Sequence, residues 1–406
     1  MIVINQFSRR WITLPALALL TASVATAANS RMDALLPQPA TTPQTQTAAA
    51  SEPLIQLAVL LDTSGSMEGL IDQARCQLWT AVSQVAKARR NGQPVRLEIA
   101  VYQYGTDSVS KSKGALRKVC DFTDDLDQVS AALFGLHVKG GDEYCGEVIT
   151  RAVTDLDWAT ESDVYKAIFI AGNESFQQGD VTFAKSLPLL AERGVVVNTI
   201  FCQSSKYRAD EIWKLAATAS GGRYSLIDHN HHLPSIPTPM DEDLVRLNDE
   251  MNETFVWFGQ GADKAASNQK MQDLNARKLS AHAFAARMSS KVGHLYHHVD
   301  HDLIDALQHE KVSLAKMPVD KMPETLQAMT AEERVTYLTG LMAKRQSIRR
   351  RMADVISSRH NFLMKELNGQ QGQPVVLGEA LTGIITSQAT DRGFEFSGDV
   401  KVTQTP

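Results

Sequence analysis

Hydrophobic positions in the first half of the chain alternate between short, nearly continuous apolar runs and longer amphipathic stretches. The apolar runs Leu54–Leu61, Lys166–Ala171 and Val195–Phe201 predict strands that are buried on both faces, as in a parallel sheet. Helical patterns separate these runs, and the longest extends from Glu68 to Arg90. This alternation predicts right-handed crossovers and a doubly wound, mostly parallel α/β fold with helices on both faces of the sheet.

Further strands are predicted beside these buried runs. Val95–Gln103 follows a helix stop at Asn91-Gly92-Gln93-Pro94, and Leu116–Phe122 comes after a short connection. A short connection favours an antiparallel pair at the edge of the sheet. Arg223–Ile227 is predicted as the last strand, so the sheet domain is assigned to residues 52–230.

The second half of the chain is predicted to be mainly α-helical. Residues 231–240 contain several prolines and are predicted as a linker, followed by a helical domain over residues 241–406. A capping box, Thr330-Ala331-Glu332-Glu333, predicts a long helix over residues 331–367. The apolar stripe of this helix indicates packing against the sheet domain, another helix or a second subunit.

The N-terminus has the three-part layout of a secretory signal peptide. The basic pair Arg9-Arg10 is followed by the apolar stretch Trp11–Val24 and by the small residues Ala25-Thr26-Ala27. Residues 1–27 are therefore predicted as a signal peptide and residues 28–51, rich in Pro, Thr, Gln and Ala, as a flexible linker. We expect an exported protein, in the periplasm or secreted, with no membrane span in the mature chain.

The composition is that of an ordinary soluble globular protein. Of its 406 residues, 43% are hydrophobic and 21% are charged. The formal net charge of −5 gives no reason to expect a nucleic-acid partner. No G-x-S-x-G motif or P-loop is present, so the sequence predicts no enzymatic activity from those motifs.

A cluster of oxygen-bearing side chains directly follows the first apolar run. Asp62, Ser64 and Ser66 lie at the carboxyl end of a predicted strand, where sites form in doubly wound sheets. A hard divalent cation takes oxygen ligands, and these three residues can supply part of its shell. The alternative is that the two serines only cap the following helix.

This loop, Asp62-Thr63-Ser64-Gly65-Ser66, resembles the D-x-S-x-S metal-ion-dependent adhesion site (MIDAS) of the von Willebrand factor A domain. The resemblance extends over about Leu54–Asp228, and the segments GGDEYCGEVI and IFIAGNESFQQG are similar to those of a bacterial exported subgroup. It implies that the site binds Mg²⁺, with Mn²⁺ or Ca²⁺ as alternatives. It also implies a protein partner that presents a carboxylate to an open position on the metal.

Two positions depart from the pattern of that family. The family supplies a threonine from a later loop, which here reads Gly140-Gly141-Asp142-Glu143, and an aspartate at the end of a buried strand, where this chain has Gly172. We therefore predict that Asp142 replaces the missing carboxylate as a metal ligand. The alternative is a degenerate site with little affinity for metal. Further candidates for contacts with the metal or the partner are Glu143, Asn173 and Glu174.

The four cysteines all lie in the sheet domain. An oxidising compartment permits disulfide pairing. The sequence contains no C-x-x-C motif, so it does not predict a thiol oxidoreductase. Cys145 follows the Asp142 loop and Cys202 ends a predicted strand, so a Cys145–Cys202 disulfide is the favoured pair. Buried free thiols are the alternative.

Two alternatives stand beside the binding function. A metallohydrolase could use the cluster His294–Asp302, because helical spacing would place His294, His298 and His301 on one face, although no HExxH motif is present. The second alternative is a structural scaffold with a vestigial metal site, whose long helix recruits partners.

Overall fold

The computed structural model describes residues 52–107, 115–202, 211–231, 236–366 and 375–396. The predicted signal peptide and linker, residues 1–51, lie outside the described residues, as do residues 232–235 of the predicted 231–240 linker. In the described part of the chain, no helix has both the length and the apolar character needed to cross a membrane.

Six strands form the central sheet, and they are β1 (Leu54–Asp62), β4 (Arg96–Tyr104), β5 (Leu116–Thr123), β6 (Tyr165–Gly172), β7 (Val196–Cys202) and β8 (Tyr224–Ile227). Their order is β5-β4-β1-β6-β7-β8. All neighbours are parallel except β4 and β5, which pair antiparallel at the edge. The predicted fold class and its antiparallel edge pair are confirmed.

Helices cover both faces of this sheet because successive strand side chains point to opposite sides. Along β1, Ile55, Leu57 and Val59 enter the core beneath one set of helices, whereas Ala58 and Leu60 enter the core on the other face. The first set comprises α1 (Glu68–Val85) and α2 (Leu126–Phe134). The second comprises α3 (Cys145–Asp155), α4 (Leu187–Arg193) and α5 (Glu211–Ala219).

The first helix is shorter than the predicted stretch Glu68–Arg90. It ends at Val85, and the chain continues as two short strands, β2 (Ala88–Arg90) and β3 (Gln93–Pro94). Asn91 and Gly92 connect them with φ values of 52° and 76°, the positive values that a two-residue hairpin turn requires. The Asn-Gly pair is therefore a hairpin turn rather than a helix stop. The strand β9 (Glu395–Phe396) adds to β2 from the other end of the described chain.

Helices dominate the remainder, and they are α6 (Asp241–Asn252), α7 (Ala262–Leu279), α8 (Ala281–Val292), α9 (Leu303–Gln308), α10 (Glu324–Gln327), α11 (Ala331–Glu366) and α12 (Leu377–Thr390). The long helix α11 begins where the capping box predicts. The Thr330 backbone N–H donates to Glu333 Oε2 at 2.7 Å, and the Glu333 N–H donates to Thr330 Oγ1 at 3.3 Å.

The helical region packs directly onto α1. One hydrophobic core extends from β1 through Trp79 of α1 to Met288 of α8, Met352 of α11 and Leu381 of α12. The start of α12 is also tied to α1, where Gln73 Oε1 accepts a hydrogen bond from the Leu377 backbone N–H at 3.0 Å. The helices therefore form the outer layer over the α1 face of the sheet.

The predicted disulfide is not formed. Cys145 and Cys202 are free thiols, as are Cys76 and Cys120. Cys145 packs into the core beneath α3, whereas Cys202 packs into the core on the α1 side. The sheet therefore lies between the two sulfur atoms, and buried free thiols, the alternative weighed from the sequence, are what the structure contains.

Candidate metal centre

The loop after β1 is held firmly at the carboxyl edge of the sheet. Asp62 is fully buried, and its Oδ1 accepts a hydrogen bond of 2.8 Å from the Ser64 backbone N–H. Both the backbone N–H and the hydroxyl of Thr63 donate to the Tyr104 carbonyl on the neighbouring strand, at 2.9 and 3.0 Å. These bonds fix Asp62 and Ser64 at the entrance to α1.

Three buried oxygens at this edge make no hydrogen bond of regular geometry among the described residues: Asp62 Oδ2, Ser64 Oγ and Asn173 Oδ1. The Ser64 hydroxyl still lies close enough to the Asp62 and Glu143 carboxylates to oppose the rise in their pKa values. Asn173 follows β6, and its side-chain amide donates to the exposed Ser66 Oγ at 3.0 Å. Leaving a buried polar atom unsatisfied costs about 1–3 kcal/mol. Carboxylate, hydroxyl and amide oxygens are the ligands that Mg²⁺ and Ca²⁺ accept, so these residues fit a hard divalent cation.

Burial and neighbouring negative charge disfavour the charged forms of the acidic groups at this edge. Burial, with the nearby charge of Glu143, raises the pKa of Asp62 to about 7. Burial and the charge of Glu174 also raise the pKa of Glu143. A cation between such groups would favour their charged forms, because an opposite charge at close range offsets desolvation.

Glu143 faces this cluster. A Cβ built on Gly105, whose φ is +70°, would lie 2.7 Å from Asp62 Oδ1, 3.1 Å from Glu143 Cγ and 3.5 Å from Ser64 Cβ. Asp62, Ser64 and Glu143 therefore surround the same small space, which only a glycine leaves open. Glu143 itself is 8% exposed.

The other predicted candidates lie around this cluster. Asp142 Oδ2 accepts a hydrogen bond from the Tyr144 hydroxyl at 2.8 Å, on the same loop as Glu143. Glu174 is exposed, and its carbonyl accepts a hydrogen bond from Trp213 Nε1 at 2.9 Å. The structure thus brings Asp62, Ser64 and Glu143 together, with the Asn173 side chain bonded to Ser66 beside them, and it places Asp142 and Glu174 around this group.

Gly172 is packed against the hydroxyl of Tyr104, a residue that the sequence reasoning did not single out. The Tyr104 hydroxyl donates to the Ala171 carbonyl at 2.9 Å. A Cβ at position 172 would lie 2.3 Å from that hydroxyl and 3.0 Å from Asp62 Oδ2. No aspartate side chain fits at this position while Tyr104 keeps its place. The glycine at position 172 is therefore matched to the packing of Tyr104 against Ala171.

The histidine cluster does not form the predicted helical face. Helix α8 ends at Val292 and α9 begins at Leu303, so the segment carrying the histidines is not a helix. His294 Nε2 lies 3.0 Å from the Val95 carbonyl oxygen, on the sheet domain. Asp302 caps α9 and accepts a bond of 2.6 Å from the buried Arg345. These side chains make separate structural contacts.

One histidine does join a group that could hold a metal. The donor atoms of Asp125, Asp127 and His298 lie within 4.8 Å of one another. However, the Asp127 carboxylate already accepts bonds from Arg287 at 2.8 Å and from the Tyr296 hydroxyl at 3.0 Å. Asp125 is the N-cap of α2. A cation would compete here with a fully buried guanidinium, so we assign the group to packing between α2 and the helical region.

No protein-family model matches the chain, and no curated protein is found to be similar to it. Among solved structures, a von Willebrand factor type A protein from Catenulispora acidiphila is similar at 17% identity, with a TM-score of 0.33, over 44% of this chain and 39% of that chain. This is the family that the Asp62–Ser66 loop resembles.

Two further solved structures are similar over the same extent. Proximal thread matrix protein 1 from the mussel byssus, with a zinc-occupied MIDAS motif, has 13% identity and a TM-score of 0.32, over 43% of this chain and 42% of that chain. The pilus adhesin SpaC from Lactobacillus rhamnosus GG has 14% identity and a TM-score of 0.31, over 44% of this chain and 28% of that chain. The chain spans less than half the length of each of the three proteins.

Proposed function

We propose that this chain is a non-catalytic binding protein that engages a protein partner through a divalent cation held at the carboxyl end of β1. The observation that carries the proposal is the convergence of buried, unpartnered oxygens from Asp62, Ser64 and Asn173 at one edge of the sheet. A donor set made only of oxygens favours Mg²⁺, Mn²⁺ or Ca²⁺ over softer metals.

The partner is proposed to supply a carboxylate. Mg²⁺ prefers six ligands and keeps several waters, so a position facing solvent can exchange water for an anionic side chain. The exposure of Ser66 supports an open position on the solvent side of the loop. Metal-dependent binding of this kind is also what the resemblance of the Asp62–Ser66 loop to the adhesion motif implies.

Export to the periplasm or the medium belongs to the same proposal. It rests on the signal-peptide pattern of residues 1–27. Mass spectrometry of the protein recovered from a periplasmic fraction should give a mature N-terminus at residue 28. An intact N-terminus in the cytoplasmic fraction would contradict export.

Neither alternative function has comparable support. The metallohydrolase depended on His294, His298 and His301 sharing one helix face, and that face does not exist. A scaffold would recruit partners through α11, yet Leu338, Ile348 and Met352 of this helix are buried within the protein, as is Arg345 against Asp302. The binding function is therefore the one that the geometry favours.

Calorimetry of chelator-treated protein tests the cation site. Mg²⁺ and Mn²⁺ are titrated into the wild type, into Ser64→Ala and into a matched control, Ser83→Ala. Ser83 also has a buried, unpartnered hydroxyl, but it lies near the far end of α1. We expect binding heat from the wild type and the control, and its loss in Ser64→Ala. Equal, negligible heats from all three proteins would contradict the proposal.

Partner binding is tested separately with purified protein as bait. Envelope proteins captured by the wild type should be released by a chelator and should not be captured by Ser64→Ala. Capture that is unchanged by both treatments would show that binding does not use the cation.

A further inference from the structure

We infer that Glu143, rather than Asp142, supplies the second carboxylate ligand of the cation site, and that it does so from within the chain. The inference rests on the proposed function and deepens it, because it names the group that balances the charge of the cation. The observations that carry it are the position of Glu143, the anchoring of its loop and the packing at Gly172.

The position of Glu143 is set by the space beside Gly105. Asp62 Oδ1, Glu143 Cγ and Ser64 Cβ all approach the point where a Gly105 Cβ would stand. Two of the unpartnered oxygens, Asp62 Oδ2 and Ser64 Oγ, belong to residues of this set. The stem of the Glu143 side chain therefore lies against Asp62 and Ser64, the residues whose oxygens a cation would join.

The loop that carries Glu143 is anchored on both sides of the site. The Lys139 backbone N–H donates to the Thr63 carbonyl at 2.9 Å, within the β1 loop, and the Asp107 N–H donates to the Gly140 carbonyl at 3.0 Å. A Cβ on Gly141 would come within 2.8 Å of the Thr106 carbonyl carbon. This close backbone packing leaves little freedom for the loop, so Glu143 is held at the site before any ligand arrives.

Asp142 is directed elsewhere. Its Oδ2 takes the hydrogen bond of the Tyr144 hydroxyl, and the Tyr144 ring packs against Gly179, where a Cβ would lie 2.7 Å from Cδ1. Adjacent residues of an extended loop point in different directions, and here the second acid, not the first, turns inward. Asp142 is therefore a natural control for Glu143 in the same loop.

The packing at Gly172 explains why the carboxylate comes from a loop. The Tyr104 hydroxyl and Asp62 Oδ2 occupy the space that a side chain at position 172 would need. A divalent cation with only the Asp62 carboxylate would leave one positive charge unbalanced in a buried setting, which is costly. Glu143 supplies the second negative charge, so the cation is balanced by groups of the chain itself.

The inference is tested with Mn²⁺ alone as the probe, because its paramagnetic resonance signal reports free ion directly. Glu143→Gln keeps the shape of the side chain and removes its charge, and Asp142→Asn makes the same change one residue earlier. We expect the dissociation constant for Mn²⁺ to rise about tenfold or more in Glu143→Gln, and to change less than about twofold in Asp142→Asn. Thermal unfolding of the metal-free proteins checks that both variants are folded.

A second measurement does not depend on affinity. Water-proton relaxation counts the waters on bound Mn²⁺, and at saturating protein the Glu143→Gln complex should hold more water than the wild type, since a ligand has been lost. An unchanged affinity and water count in Glu143→Gln, or an equal loss in Asp142→Asn, would overturn the inference while leaving the cation site itself in place. Absence of Mn²⁺ binding in the wild type would instead reject the proposed function and the inference together.

Discussion

Replacing Gly172 with alanine should destabilise the metal-free protein, and removing the Tyr104 hydroxyl should relieve part of that effect. The added Cβ would stand 2.3 Å from the hydroxyl oxygen, a distance that real Cβ atoms do not tolerate. Overpacking a tight core costs about 1–3 kcal/mol. Asp62 Oδ2, 3.0 Å from the same point, limits how far the new methyl group can move away.

A double-mutant cycle measures how much of this cost belongs to the Tyr104 hydroxyl. Tyr104→Phe alone loses the hydrogen bond to the Ala171 carbonyl, which is worth about 0.5–1.5 kcal/mol. In the double variant the methyl group enters the space that the hydroxyl has left. The summed single effects should therefore exceed the double effect by about 1 kcal/mol or more, which is the coupling expected of groups in contact.

Urea unfolding, followed by circular dichroism in the presence of a chelator, gives the three free energies without a contribution from bound metal. Gly340→Ala in α11 is the control, since no atom outside its chain neighbours and the nearby backbone of its own helix lies within 4 Å of the new Cβ. That variant should be stabilised by up to about 1 kcal/mol through helix propensity alone. Additivity of Gly172→Ala and Tyr104→Phe to within about 0.5 kcal/mol would refute the steric account of the missing aspartate.

Two further predictions concern the buried charges of the helical region. Arg345→Leu should lower the free energy of unfolding by about 3–5 kcal/mol, because it leaves the buried carboxylates of Asp302 and Asp305 without their cation. Arg351→Ala, on the same helix as Arg345, breaks an exposed pair with Glu250 and should cost at most about 1 kcal/mol. Similar losses for the two variants in urea unfolding would contradict this contrast. Burial alone would lower the pKa of His298, but the Asp127 carboxylate, 3.2 Å away, outweighs burial and raises it. The charged pair therefore stabilises the fold below the ordinary histidine pKa of about 6.5, and this stabilisation is lost as the pH rises through the raised pKa of the folded state. The stability lost by the wild type between about pH 6 and pH 8 should therefore shrink in His298→Phe, and an unchanged slope would show that His298 does not titrate as described.

The fold and the start of the site could be predicted from sequence because their signals are local and periodic. The apolar run Leu54–Leu61 stops at Asp62, which places that carboxylate at the carboxyl edge before any tertiary contact is known. The capping box at Thr330 likewise needs only four neighbouring residues. Both features are found where the patterns put them.

Features that depend on tertiary contacts could not be predicted in the same way. Asp142 and Glu143 are adjacent in an irregular loop, where no period indicates which side chain turns inward. Ala88–Arg90 continues a helical pattern, but it becomes a strand by pairing with Gln93–Pro94 across the Asn-Gly turn and with Glu395–Phe396, far along the chain. Arg345 lies in a basic run, Lys344-Arg345 and Arg349-Arg350-Arg351, that is typical of a solvated helix face, although Arg345 itself is 2% exposed.

The return of α12 to the sheet domain has a consequence for how the protein is made. Gln388 on this helix accepts a hydrogen bond from the Tyr165 hydroxyl at 2.7 Å and exchanges amide hydrogen bonds with Asn198 of β7. The bond between Leu377 and Gln73 joins positions 304 residues apart. The ribosome must therefore release the chain as far as α12 before the apolar side of α1 is fully covered. A fragment ending after β8 would keep the six strands of the central sheet but expose that side, so we expect such nascent chains to need protection from aggregation until α12 emerges.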